Sequence, residues 1–176
     1  MPKKISVANL IMLAGGVVTL LFSFFDFFGA DSDFADVGFS AWSTDAFAFV
    51  STIPAILAIV MIAWVVCELV GVKLPDNVLT FNNAQMKATW GITAAAVMLA
   101  FLTVDLGVYD KQFGFFLMLI GSLAMAAGAV MALLGKGTEM VNIGGGSGGT
   151  AAGGAPPPPP PYMGGGAPPP PPPPTA

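Results

Sequence analysis

The sequence contains no arginine, no histidine and a single cysteine, and charged residues make up only 9% of it. Each shortage excludes something. Nucleic-acid binding needs a basic face that neutralises phosphates, and six lysines against ten acids, a net charge of −4, do not supply one. A disulfide framework needs paired cysteines, and Cys67 stands alone inside an apolar run. Without histidine the commonest general base and metal ligand is missing, and the usual nucleophilic dyads cannot be assembled. The residues therefore suggest no catalytic group, no cofactor and no metal site. A typical soluble domain carries about 25% charged residues, so that class is disfavoured as well.

What is present is apolar and clustered. Hydrophobic residues make up 55% of the chain and fall into four runs, about 5–25, 46–70, 88–104 and 113–134. A bilayer core about 30 Å thick is crossed by roughly 20 helical residues. Three runs meet that length, and the third does so with Trp90 at its interfacial end. Charges sit at run ends, as Asp26, Glu68 and Asp105 do. The expected fold is all-α: a four-helix transmembrane bundle over residues 1–143. The first run exceeds the 7–15 apolar residues of a signal peptide and lacks a small-x-small cleavage site, so an uncleaved span is expected. Lysine placement orients the bundle. With the N-terminus inside, Lys3, Lys4, Lys73, Lys87 and Lys136 are cytoplasmic and only Lys111 is outside, where Asp26, Asp31, Asp33, Asp36, Asp45, Asp105 and Asp110 also collect. That places both termini in the cytoplasm of a multi-pass cell-membrane protein.

Local signals refine the runs. Ser43-Thr44-Asp45 offers N-caps for helix two, and Pro54, read as lying beyond its first turn, predicts a static kink that frees the Val50 carbonyl near Ser51 and Thr52. Pro75-Asp76-Asn77 reads as a turn, and Asn82 with Gln85 as a capping box. The connection Gly107 to Gln112 is short enough to make helices three and four an antiparallel hairpin. In the outer loop, Phe34, Val37, Phe39 and Trp42 interleave with acids. The segment either lies on the bilayer surface with Trp42 as an interfacial anchor or tucks over the bundle mouth. Its Asp31, Asp33 and Asp36 lack the glycine and bidentate glutamate of an EF-hand loop.

Gly114, Gly121, Gly128 and Gly135 recur every seven residues along the fourth run. Small residues allow close backbone approach where lipid leaves no hydrophobic drive between helices. Ala84, Ala88, Gly91 and Ala95 form a partner stripe in helix three, and Ala8 and Gly15 add to it from helix one. Tight packing within one chain explains the seam; a homo-oligomer contact is the alternative. Met118, Met125 and Met131 are read as gap-fillers.

Residues 144–176 contain ten glycines, thirteen prolines and no charge, a composition that cannot bury a core and predicts a disordered Gly/Pro-rich tail. A near-repeat closes it: Gly-Gly-Ala, then Pro156 through Pro161, Tyr162, and again Gly-Gly-Ala, then Pro168 through Pro174. Each block is a polyproline II rod of about 20 Å. Two rods on a flexible joint suit bivalent docking to a cytoplasmic polyproline-binding protein, with Tyr162 as an anchor. The plainer reading is a spacer without a dedicated partner.

In its Lys3-Lys4 start, the Phe39-Ser40-Ala41-Trp42 loop, the Lys111 to Leu117 stretch and the polyproline end, the chain resembles small bacterial four-helix integral membrane proteins with a Gly/Pro-rich cytoplasmic tail. The resemblance implies an architecture and a cell-envelope location. The expected function is a non-enzymatic membrane scaffold or adaptor, with the lipid bilayer and a tail-bound protein as partners and no role for nucleic acid. A small transporter or channel, or an accessory subunit of one, is the alternative; an intramembrane enzyme ranks behind both.

Overall fold

A computed structural model describes residues 3–32, 35–43, 49–75, 77–105, 107 and 109–143. The expectations placed on Asp33, Phe34, Thr44, Asp45, Asp76 and the whole tail, including Pro156, Pro161, Tyr162, Pro168 and Pro174, lie outside these residues. The described chain is mostly helical, with four long helices: α1 (Val7–Phe22), α2 (Ile53–Val70), α3 (Asn83–Thr103) and α4 (Phe113–Leu133). The all-α expectation needs correction, because seven short strands accompany them: β1 (Lys3–Ser6), β2 (Asp26–Ser32), β3 (Ala35–Ser40), β4 (Asn77–Val78), β5 (Phe81–Asn82), β6 (Asp110–Lys111) and β7 (Met140–Ile143). The helices pack as a ring in which α1 meets α4 and α2, and α3 meets the same two from the other side.

Helix boundaries follow from caps. The Ser6 hydroxyl accepts the Asn9 backbone N–H and starts α1. Ile5 and Ser6 instead pair with Val141 and Met140 in the antiparallel β1–β7 ladder. The first run is thus trimmed from the expected 5–25 to a 16-residue helix, about 24 Å long at 1.5 Å per residue. Three helical segments, Val50–Val70, Asn83–Thr103 and Phe113–Leu133, are long and apolar enough to cross a membrane; α1 is apolar but shorter.

The start of helix two expected at residue 46 lies outside the described residues. A 3₁₀ turn (Val50–Thr52) precedes α2, and Pro54 occupies its first turn. A proline there forfeits only an N–H that has no partner in a helix start, which removes the reason for a kink. The Ser51 hydroxyl donates to the Ala41 carbonyl and that of Thr52 to the Phe49 carbonyl. At the other end Gly71, at φ +81°, closes α2 in the left-handed conformation. The capping box expected at Asn82 and Gln85 forms, and it starts α3 at Asn83, ahead of the apolar run that begins at residue 88. The preceding chain reverses at Leu79 and Thr80 between β4 and β5.

At the end opposite the β1–β7 ladder, β2 lies between β3 and β6. The β2–β3 hairpin turns Phe27 and Phe28 inward, where both are fully buried beside Phe101 and Phe115. Of the loop that follows, Ala41 is buried and Trp42 half-buried. The interior between the two ends is filled, chiefly by Met12, Met61, Met98, Met118 and Met125. Met131 is half-buried. Flexible thioethers fit the irregular gaps that closely approaching helices leave.

Candidate functional site

The most polar constellation among the described residues lies where α1, α2 and α3 meet, at the β1–β7 end. Glu68, near the end of α2, accepts four hydrogen bonds. Its Oε1 accepts from Asn83 Nδ2 at 2.6 Å and Lys87 Nζ at 3.0 Å. Its Oε2 accepts from Asn9 Nδ2 and Lys87 Nζ, both at 3.0 Å. Lys87 Nζ also donates to Asn9 Oδ1 at 3.2 Å, so each of its three N–H groups has an acceptor. Trp64 Nε1 donates to Asn83 Oδ1 at 2.6 Å, and the Trp64 ring meets Trp90 edge-on with centroids 5.3 Å apart.

Burial makes this clasp matter. Lys87 is only 6% exposed, and an unpaired ammonium there would be strongly disfavoured. The Glu68 carboxylate and the Asn9 amide oxygen replace the water it loses. Asn9 comes from α1, Glu68 from α2, and Asn83 and Lys87 from α3, so the network fixes how the three helices sit at this end. Beside it opens a cleft of about 250 Å³ lined by Asn9, Asn83, Lys87, Lys136 and Thr138 among others. The clasp itself is closed: its donors converge on Glu68, and no metal-ligating cluster occurs among the described residues.

Sequence reasoning placed Glu68 at a span end and Lys87 outside the span, and so missed the pair. Reading helix three from residue 88 caused the error, since α3 in fact carries Lys87 in its second turn. A signal existed in the i, i+4 spacing of Asn83 and Lys87, which puts an amide and an ammonium on one helix face. Asn9 is likewise the one amide within the first apolar run.

The seam glycines divide into two kinds. On α4, Gly114, Gly121 and Gly128 face α1 and the start of β2. A Cβ at Gly121 would stand 2.6 Å from Thr19 Oγ1, at Gly128 2.8 Å from the Ala8 carbonyl oxygen, and at Gly114 2.6 Å from that of Asp26. Gly135 lies beyond α4 at φ +66° with open space around it, and therefore ends the helix instead of packing. Helix one, not the alanine stripe of helix three, receives the seam. Gly91 of that stripe packs on a different face of α4, near Ala126 and Ala129.

The tryptophans take opposite ends. Trp42 is half-buried, donates its Nε1–H to Ser23 Oγ at 2.8 Å and stacks on Phe24 with centroids 5.5 Å apart. Trp90 sits beside the clasp. Compared with protein-family models, with characterised proteins and with solved structures, the chain matches none.

Proposed function

We propose that the chain is a multi-pass protein of the cell membrane, with α1 to α4 as a transmembrane bundle and both termini in the cytoplasm. In this reading it is a non-enzymatic scaffold: the bundle is the anchor, and the polyproline tail tethers cytoplasmic partners. The β1–β7 ladder is the observation that carries it. By pairing Lys3–Ser6 with Met140–Ile143, it roots the tail beside the N-terminus, at the end that also holds Lys87 and Lys136.

Other features support the anchor. Fewer than two-fifths of the residues in each of the three long apolar segments are buried, so their outward faces suit lipid more than water. Phe24, Phe25, Phe49 and Phe113 are exposed at the end opposite the clasp, as aromatic side chains at a bilayer boundary would be. Close backbone contacts and buried methionines fill the interior, which suits a rigid support.

The alternative, a small transporter or channel or an accessory subunit, draws on Lys87 and Glu68, since ionisable groups inside spans often mark ion pathways. Two experiments separate the readings. Proximity labelling in cells should lose specific cytoplasmic neighbours when residues 144–176 are deleted; an unchanged neighbour set contradicts tethering. Purified protein in liposomes should leave the bilayer tight to ions and small solutes, whereas protein-dependent flux abolished by Lys87→Met would favour transport.

A further inference from the structure

The β4–β5 hairpin carries an apolar tip that the other described residues leave exposed. Leu79 at its turn is 91% exposed. It is also the single non-glycine residue with positive φ among the described residues, at +58°. Glycine or asparagine adopts that conformation with less strain and suits a turn in water. Leucine there gains little burial from the described residues, and an apolar environment outside them would offset the strain. Phe81, across the ladder from Val78, is half exposed as well.

The setting identifies that environment. Only Asn82 separates Phe81 from α3, and the capping box at Asn82 and Gln85 fixes the angle at which the chain enters the helix. The hairpin is therefore held at the depth where α3 begins. An apolar groove of about 220 Å³ runs between the two, lined by Val78, Leu79, Phe81, Met86, Thr89 and Trp90. Past Phe81 it continues into a second, shallower cleft that reaches Ile92 on α3 and Leu133 on α4. Ile92 and Leu133 belong to the exposed apolar faces of the long helices. The tip is thus continuous with the surface assigned to lipid under the membrane-spanning reading, on which this inference rests.

We infer that the β4–β5 hairpin is a wedge in the cytoplasmic leaflet, with Leu79 and Phe81 inserted at the headgroup–acyl boundary and one phospholipid acyl chain lying in the groove against α3. Such insertion buries apolar side chains a few ångströms below the headgroups while the hairpin backbone stays within reach of water. Trp90, lining the same groove, fits this boundary by having a large apolar ring and a polar N–H.

The test uses the full chain with Cys67→Ala and a single environment-sensitive dye on Leu79→Cys, reconstituted in phosphatidylcholine–phosphatidylglycerol vesicles. A second preparation carries the dye on Leu99→Cys, an outward-facing position of α3. Insertion predicts blue-shifted emission at position 79 and a loss of about half of it to lipids bearing a nitroxide high on the acyl chain, with little quenching by aqueous iodide. Iodide quenching at 79 together with nitroxide quenching at 99 overturns the wedge while leaving the spanning reading intact. Iodide quenching at both positions overturns both. A dye at 79 that is exposed in vesicles holding this protein alone but shielded in native membranes assigns the tip to a protein partner and also overturns the wedge.

Discussion

Gly121 of α4 and Thr19 of α1 are in direct backbone contact: a Cβ on the glycine would stand 2.6 Å from the threonine Oγ1 and 2.8 Å from its amide nitrogen. The relation is reciprocal one turn away, where a Cβ on Gly15 would meet the Met125 nitrogen at 2.5 Å and the Gly121 carbonyl oxygen at 2.7 Å. The Thr19 hydroxyl uses the approach, donating to the Gly15 carbonyl at 2.9 Å and lying 3.4 Å from Ser122 Oγ.

Gly121→Leu should therefore force α1 and α4 apart, with a loss of about 3 kcal/mol or more, since neither backbone can yield as a side chain can. Gly135→Ala meets no neighbour and should cost only about 1 kcal/mol, from its positive φ alone. Thermal unfolding in detergent compares the two directly. Equal effects would mean that the seam does not pack within the chain.

Glu68→Gln should destabilise the chain by about 3 kcal/mol, because Lys87 would remain buried without its counter-charge. Adding Lys87→Met to that variant should restore much of the loss, as an apolar side chain needs no partner there. A double-mutant cycle read by chemical unfolding measures the coupling. A double variant as unstable as the sum of the single ones would show that the clasp is not a unit.

Trp42→Phe keeps the ring against Phe24 but removes the N–H donated to Ser23, and should cost about 1 kcal/mol. Phe27→Ala should cost about 3–5 kcal/mol, because it empties a fully buried site between Phe28, Phe101 and Phe115. Limited proteolysis of the β2–β3 hairpin should speed up slightly in the first variant and strongly in the second. Similar rates would place the hairpin's stability elsewhere.

These contrasts also mark what was legible in the residues. Hydropathy located all four helices, because runs of that length and purity have few alternatives. Local polar caps then decided the boundaries, and they could be read where both partners are close in sequence, as at Asn82 and Gln85. The strands were not legible. Asp26–Ser32 mixes Phe, Gly, Ala and Asp without strict alternation, and its pairing depends on Ala35–Ser40 and on Asp110 and Lys111 far along the chain. The clasp failed for the same reason. Asn9, Glu68 and Lys87 are 59 and 19 residues apart in sequence, and only the packing of α1, α2 and α3 brings them together. Glycine spacing announced the seam on α4, but the identity of its partner depends on the ring order of the helices, which periodicity does not encode.

A chain ending at residue 143 should unfold at the same temperature as the full-length protein, since the clasp, the seam and both core regions lie before the tail. Scanning calorimetry of the two in the same detergent checks this. A markedly lower transition for the shorter chain would mean that the tail is part of the folded unit and not a tether.

The anchor, the tether and the hairpin wedge all depend on the chain crossing the membrane with both termini inside. Cysteine accessibility on intact cells tests that most directly, using Lys4→Cys, Lys111→Cys and Lys136→Cys, each in a Cys67→Ala background. A membrane-impermeant maleimide should label position 111 alone, with positions 4 and 136 reacting only after the cells are opened. Labelling of 4 or 136 on intact cells, or of all three equally, would contradict the account.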